Sequence, residues 1–195
     1  MKTNFTRGDG ILDQFLAQMR AKQAKIHIRN LGSHDKILDV GCGSYPYFLS
    51  VVEFKEKYGI DSLIKTGIVE GIILKKLNVE SEKLPFKDNF FDCVTMLAVF
   101  EHINEVKLNF VLKEVRRVLK TGGTFVIATP SPWSDGLLHL LARLSVISPE
   151  EIHEHKHNQT RKIIESLLRQ AGFQEENLRS GYFESGLNMW FVAKK

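Results

Sequence analysis

Residues Lys36 to Tyr45 read KILDVGCGSY, and residues 58–61 read YGID. The first stretch is a short apolar strand that runs into a turn with glycines at alternate positions, Gly41 and Gly43. Asp39 closes that strand, and Asp61 closes the next strand-like run, 61 − 39 = 22 residues later. In nucleotide-binding βαβ units an acidic residue follows the glycine turn by about 20 residues and binds ribose hydroxyls. Glycine lacks a Cβ, so the backbone can turn tightly and approach a ligand closely. These residues therefore point to a cofactor that contains adenosine. The dinucleotide pattern G-x-G-x-x-G/A fails here, because Pro46 stands in the third small position of Gly41-Cys42-Gly43-Ser44-Tyr45-Pro46.

The chain has 195 residues, which favours one domain, 1–195, with 1–30 as a helical cover and 133–158 as an insertion or lid. Hydrophobic residues make up 43% and charged residues 26%, the balance of an ordinary soluble protein. No apolar run reaches the ~20 residues of a membrane span. The first residues, MKTNFTRGDG, lack the apolar core of a secretion signal. Two cysteines, Cys42 and Cys93, fall in turn or buried positions, so a cytoplasmic protein without a disulfide is expected. The net charge is +4, but basic residues are interspersed with acidic ones, which argues against a nucleic-acid footprint.

Periodicity predicts the elements. Residues 10–28 carry Leu12, Phe15, Leu16 and Met19 at helical spacing. A strand over 36–40, a helix over roughly 46–56 and a strand ending at Asp61 follow. Residues 62–79 hold Gly67 and Gly71 and predict a poor helix or none, then a strand ending near Asn78. FDCVTML at 91–97 reads as a central parallel strand. Residues 104–119 form an amphipathic helix with Leu108, Val111, Leu112, Val115, Val118 and Leu119 on one face, stopped by Gly122-Gly123. TFVIAT at 124–129 is a buried strand. A helix over 160–171 ends at Gly172, and strands over 177–183 and 188–193 are close enough to form an antiparallel hairpin. This alternation predicts an α/β, Rossmann-like, doubly wound sheet of seven mostly parallel strands.

The glycine turn resembles motif I of the class I S-adenosylmethionine (SAM) methyltransferases, with Asp39, Gly41 and Gly43 matching and Tyr45 replacing the family's third glycine. EKLPFKDNFFDCVTMLAVFEHI (82–103) is similar to the "LPF…FD…EH" segment of the small-molecule, type 11-like branch. LKEVRRVLKTGGTFVIATP (112–130) and HNQTRKIIESLLRQAGF (157–173) resemble its later segments. The resemblance implies a sheet whose last strand is antiparallel, with SAM as cofactor.

By that resemblance Asp39 sits near the methionine ammonium, and Gly41, Cys42 and Gly43 pass close to the cofactor. Asp61, with Ser62 after it, takes the ribose hydroxyls. Glu80 and Ser81 lie beside adenine, with Asn78 as the alternative, and Leu97 and Ala98 line the floor. Glu101 and His102 close the loop after the fourth strand of the predicted sheet. A histidine titrates near neutrality, so His102 is a candidate general base and Glu101 its acidic neighbour. The same pair could simply start a helix. His153, His155 and His157 alternate. They read as part of a lid, an acceptor-site loop or solvated surface rather than a metal centre, and no metal is implied. The apolar segment 136–147 suits a hydrophobic or aromatic acceptor, core packing or a partner surface.

The expected activity is methyl transfer from SAM to an oxygen, nitrogen or carbon of a small molecule. Two other readings stay open: a non-catalytic methyltransferase-like partner or activator subunit, and an RNA or protein methyltransferase. An NAD-binding oxidoreductase is disfavoured by Pro46 and by Asp39 before the first glycine.

Overall fold

The computed structural model describes residues 11–28, 30–32, 35–132 and 159–195, with side chains from residue 15 onward. The expectations for 1–10 and for 133–158, including the lid and the three alternating histidines, lie outside the described residues.

Among the described residues the elements are α1 (Ile11–His27), β1 (Lys36–Val40), α2 (Tyr47–Ser50), β2 (Glu56–Asp61), β3 (Gly67–Val69), β4 (Ile72–Lys76), β5 (Phe91–Leu97), α3 (Glu105–Val118), β6 (Leu119–Pro130), α4 (Arg161–Gln170), β7 (Leu178–Phe183) and β8 (Asn188–Lys194). They build one sheet in the order β3-β4-β2-β1-β5-β6-β8-β7. Strands β4, β2, β1, β5 and β6 are parallel, while β8 is antiparallel to β6 and to β7. The fold is thus the expected mixed α/β sheet with antiparallel strands at its carboxyl-terminal end.

The sheet has eight strands rather than seven. The extra one is β3, which pairs antiparallel with β4 in the segment read as a poor helix. Glu70 and Gly71 make the turn, both with positive φ (50° and 77°). That backbone is the one a two-residue hairpin needs, and β-branched Ile68, Val69, Ile72 and Ile73 flank it. β4 then ends at Lys76, before Asn78.

The helix expected over 46–56 is a single turn, Tyr47–Ser50. Val51 and Val52 disfavour a longer one, and the Lys57 ammonium donates to the Leu49 and Val52 carbonyls that the helix end leaves open. Gly122-Gly123 do not stop α3. The chain turns extended at Leu119, and the glycines lie inside β6. There the register against β5 shifts between Phe91 and Cys93. A Cβ on Gly123 would meet the Lys120 carbonyl at 2.8 Å, which explains the glycine.

Two apolar layers cover the sheet. On one face α3 buries Leu108, Val111, Leu112, Val115 and Val118, the predicted stripe, and α4 adds Ile164 and Leu168. Each such side chain contributes roughly 2 kcal/mol by leaving water. On the other face α1 and α2 pack Ala21, Ala24, Ile28, Phe48 and Leu49 against Ile37, Cys93 and Val126. The stripe expected for α1 is displaced: Phe15 is 52% exposed, and the helix approaches the sheet through its small residues instead. Among the described residues no helix is long and apolar enough to cross a membrane.

Candidate functional site

The chain order reverses about β1, which has β2 on one side and β5 on the other. In open parallel sheets ligands bind at such a switch point, outside the carboxyl ends of the strands. The predicted residues of the glycine turn fall there.

Gly41 and Gly43 both adopt left-handed backbone, φ 76° and 72°. The Gly41 N–H donates to the Ile60 carbonyl at 2.7 Å, and Cys42 N–H to the same oxygen at 3.2 Å, so the turn is tied to β2. Gly41 has no room for a side chain: an added Cβ would lie 2.2 Å from Val99 Cγ2. Gly43 differs: among the described residues its Cβ position meets only the Tyr45 carbonyl, at 4.0 Å. Among the described residues the space beside Gly43 is left open.

Asp61 is 7% exposed at the end of β2. Its Oδ2 accepts from the Gly43 N–H at 3.1 Å and its Oδ1 from the Leu63 N–H at 2.9 Å. One carboxylate thus joins the glycine turn to the loop after β2. Each carboxylate oxygen has a second lone pair, so the group retains acceptor capacity for a diol. Ser62 follows it at an exposed position.

Asp39 is 4% exposed and sits opposite Thr95 of β5. The Thr95 hydroxyl donates to Asp39 Oδ1 at 2.6 Å. Burial pushes the Asp39 carboxyl up to about 7, the Thr95 hydrogen bond opposes that, and the Asp61 charge adds to it. A buried carboxyl poised this way gains from a cationic ligand, which would favour its ionised form. Burial, with the charges of Asp39 and Asp61, also raises the Cys42 thiol, so Cys42 is a wall of the turn rather than a nucleophile. A Cβ on Gly59 would lie 2.7 Å from Cys42 Sγ, which shows how closely that wall packs.

After β5 the chain turns through Ala98, a non-glycine residue at φ 55°. The Ala98 N–H donates to the Ala128 carbonyl at 2.8 Å, which fixes the turn to β6. It carries Val99 onto Gly41 of the β1 turn and leads into a single 3-10 turn, Phe100–His102, while Leu97 packs against the apolar layer under α1 and α2. Glu101 is 3% exposed and accepts from the Thr129 hydroxyl at 3.1 Å. His102 is half-buried, its N–H on the Val99 carbonyl at 3.0 Å.

Glu80 and Ser81 lie in the turn after β4. The Asn78 side chain accepts from the Glu80 N–H at 3.0 Å, and the Asn78 carbonyl from the Ser81 N–H at 3.2 Å. The Glu80 carboxylate accepts from the Asn104 N–H at the start of α3. This contact links the post-β4 loop to the post-β5 loop across the site. Among the described residues no group of three histidine, cysteine or acidic side chains is placed to hold a metal.

Three residues at the site escaped sequence reasoning. Thr95 was the internal polar residue of an apolar strand, a signal that it faces a polar partner. Val99 carried no signal, because its contact with Gly41 depends on the path of the following loop. Thr129 ends a buried strand, and its pairing with Glu101 follows only from the register of β5 and β6.

A methyltransferase-domain profile matches residues 12–178. The chain is 34% identical over 117 residues to the ubiquinone/menaquinone biosynthesis C-methyltransferase UbiE of Neisseria gonorrhoeae, covering 54% of this chain and 47% of that protein. It spans less than half the length of the first curated relatives it matches. Among solved structures, a S-adenosylmethionine-dependent methyltransferase of Mesorhizobium loti superposes with a TM-score of 0.69 at 16% identity, over 92% of this chain and 100% of that one. A chain from the Haloferax volcanii complex between the Trm112 methyltransferase activator and a methyltransferase superposes with a TM-score of 0.64 at 16% identity, over 95% and 97%. The profile match covers most of the chain, and its fold is that of the solved methyltransferases it superposes on: the chain belongs to the methyltransferase-domain family.

Proposed function

We propose that the protein binds SAM at the β1–β5 switch point and transfers its methyl group to an oxygen, nitrogen or carbon atom of a small molecule. The observation that carries this reading is the pairing of two buried carboxylates, Asp39 and Asp61, with a left-handed glycine turn whose Gly43 side is open. SAM supplies an electrophilic methyl on a sulfonium and needs no pyrophosphate cradle, in keeping with Pro46 after the turn.

The residues divide the work. Asp61 would accept the ribose hydroxyls while it keeps the glycine turn closed on β2. Asp39 would face the methionine ammonium, held in place by Thr95. Glu80 or Asn78, with the Ser81 N–H, would lie toward the adenine, and Leu97 and Ala98 would form the floor. Holding donor and acceptor in line and excluding water is the main contribution such a site makes to methyl transfer. His102 is the candidate to take a proton from an acceptor that must lose one, with Glu101 fixed beside it by Thr129. The two buried free thiols fit a reducing, cytoplasmic setting.

A second reading, a chain that binds SAM or acts only with a partner subunit, draws on the neighbour from the Haloferax volcanii activator complex. Calorimetric titration with SAM, followed by an acceptor screen with methyl-labelled SAM, tests both. Saturable binding with label transfer supports the enzyme. Binding without transfer to any small molecule, even with the His102 imidazole intact, supports the partner reading.

A further inference from the structure

Among the described residues α1 is the only helix of more than one turn on its face of the sheet, and it meets that face through Ala21, Ala24 and Ile28. Phe15, Met19, Lys22 and Ile26 follow one another at spacings of four, three and four residues, so they share one side of the helix. Met19, Lys22 and Ile26 each stand two residues before a buried one, Ala21, Ala24 or Ile28, a rotation of about 200°. That side therefore points away from the sheet. Phe15 is 52% exposed and Ile26 51%, Lys22 is exposed and Met19 is half-buried. A surface helix of a globular protein carries polar residues there. α1 is instead apolar on two opposite sides, and its outer stripe runs about 16 Å from Phe15 to Ile26 at about 1.5 Å per residue.

The charge along this helix is of one sign. From Gln14 to His34 the sequence has four arginines and lysines, Arg20, Lys22, Lys25 and Arg29, and no acidic residue. Arg20, on one flank, lies close enough to Glu184 to favour its ionised form, and on the other flank the Lys25 ammonium donates to the Val51 carbonyl at 3.1 Å. Lys22 stands in the stripe itself and has no ion-pair partner among the described residues. A second copy packed on the stripe about a two-fold axis would bring Lys22, near the middle, close to its own mate, a like-charge contact. A lipid surface fits better. Apolar side chains enter the boundary between headgroups and acyl chains, while a lysine lays its stem along them and raises its ammonium to the phosphates.

We propose that the outer side of α1 docks the protein on an anionic lipid surface, with Phe15, Met19 and Ile26 inserted at the headgroup level, Lys22 against lipid phosphates and Lys25 at the rim. The association is reversible, because a short apolar stripe with a few cations holds far less tightly than a spanning helix. Salt weakens it by screening the cations. This inference is independent of the methyl-transfer reading.

Flotation of the whole chain with vesicles tests it, using phosphatidylcholine alone and phosphatidylcholine mixed in equal parts with phosphatidylglycerol. The expected result is binding to the mixed vesicles, at least about tenfold weaker binding to the neutral ones, and release by high salt. Phe15→Gln combined with Ile26→Gln changes two exposed side chains, so it is expected to keep the thermal midpoint and lose binding. Lys22→Glu is expected to weaken binding at least about tenfold. Lys113→Glu makes the same charge change at an exposed site on α3, across the sheet, and is expected to leave binding nearly unchanged. No vesicle binding by the folded protein overturns the proposal, and so does equal binding to both vesicles. Equal loss from Lys22→Glu and Lys113→Glu overturns it too, since net charge rather than this helix then drives the attraction. That arm stands even if the paired glutamine variant fails to fold. A protein that ignores vesicles but dimerises through these residues, or is retained on immobilised polyglutamate, has another occupant on this face, which also overturns the proposal.

Discussion

At the scale of single residues, the glycine turn holds one position where no side chain fits, Gly41, and one where a Cβ has room, Gly43. Gly41 combines φ 76° with a Val99 methyl 2.2 Å from any Cβ. Gly41→Ala is expected to destabilise the fold by about 2–4 kcal/mol, from backbone strain and overpacking together, read as a lower denaturant midpoint. Gly43→Ala meets open space, so its cost is the backbone term alone, about 1–2 kcal/mol, while its effect on SAM affinity is the larger one. Asp39 gives the pH dependence. Its carboxyl is pushed up to about 7 by burial, whereas an unfolded carboxyl titrates near 3.8. Between those two values the folded state holds the extra proton, so this group's effect on stability becomes less favourable as pH rises toward about 7. Asp39→Asn, which keeps the Thr95 acceptor, is therefore expected to be more stable than the parent at pH above that value. Binding has the opposite sign. A cationic ligand needs the ionised carboxylate, so SAM affinity is expected to fall by up to about tenfold per pH unit below the free protein's value. Calorimetry across pH checks this, and Asp39→Asn should flatten the profile.

The elements show what was legible in the sequence and what was not. β1, β5, α3 and the final hairpin have the bounds that periodicity predicts, within a residue or two, because each buries one continuous stripe or run. The glycine turn and the carboxyl-end placement of Asp39, Asp61 and Glu101 followed from the same patterns. β3 was missed because Gly67 and Gly71 read as breakers, when Gly71 is the turn residue that makes the hairpin. The length of α2 was missed because the apolar residues Phe48, Leu49, Val51 and Val52, interrupted by Ser50, fit either one turn or three. The long segment Leu77 to Phe90 has no helix, and side chains hold it instead. Arg117 donates to the Leu84 and Phe86 carbonyls and to Asp88 and Glu114, while Glu114 accepts the Leu84 N–H at 2.9 Å. Glu114→Ala would leave that buried N–H without an acceptor and Arg117 without its main partner. The expected loss is about 2–3 kcal/mol, seen in urea denaturation, with early hydrogen exchange at residues 84–90.

For the molecule as a whole, the sheet brings together groups far apart in the chain. The β1 turn, the β2 carboxylate, the post-β4 loop and the post-β5 loop meet at one end, and Asn104 bonding to Glu80 closes the ring. Such a site binds as a unit, so removing one member should weaken the ligand more than it weakens the fold. Within it the Asp61 carboxylate joins the β1 turn to the loop after β2. The most direct test is calorimetric titration of SAM into the parent protein and into Asp61→Ala, with NAD as the control ligand. The account predicts saturable SAM binding to the parent, no NAD signal, and at least about tenfold weaker SAM binding to a folded Asp61→Ala. Equal SAM affinity in the two proteins, or no SAM binding by the folded parent, would contradict it.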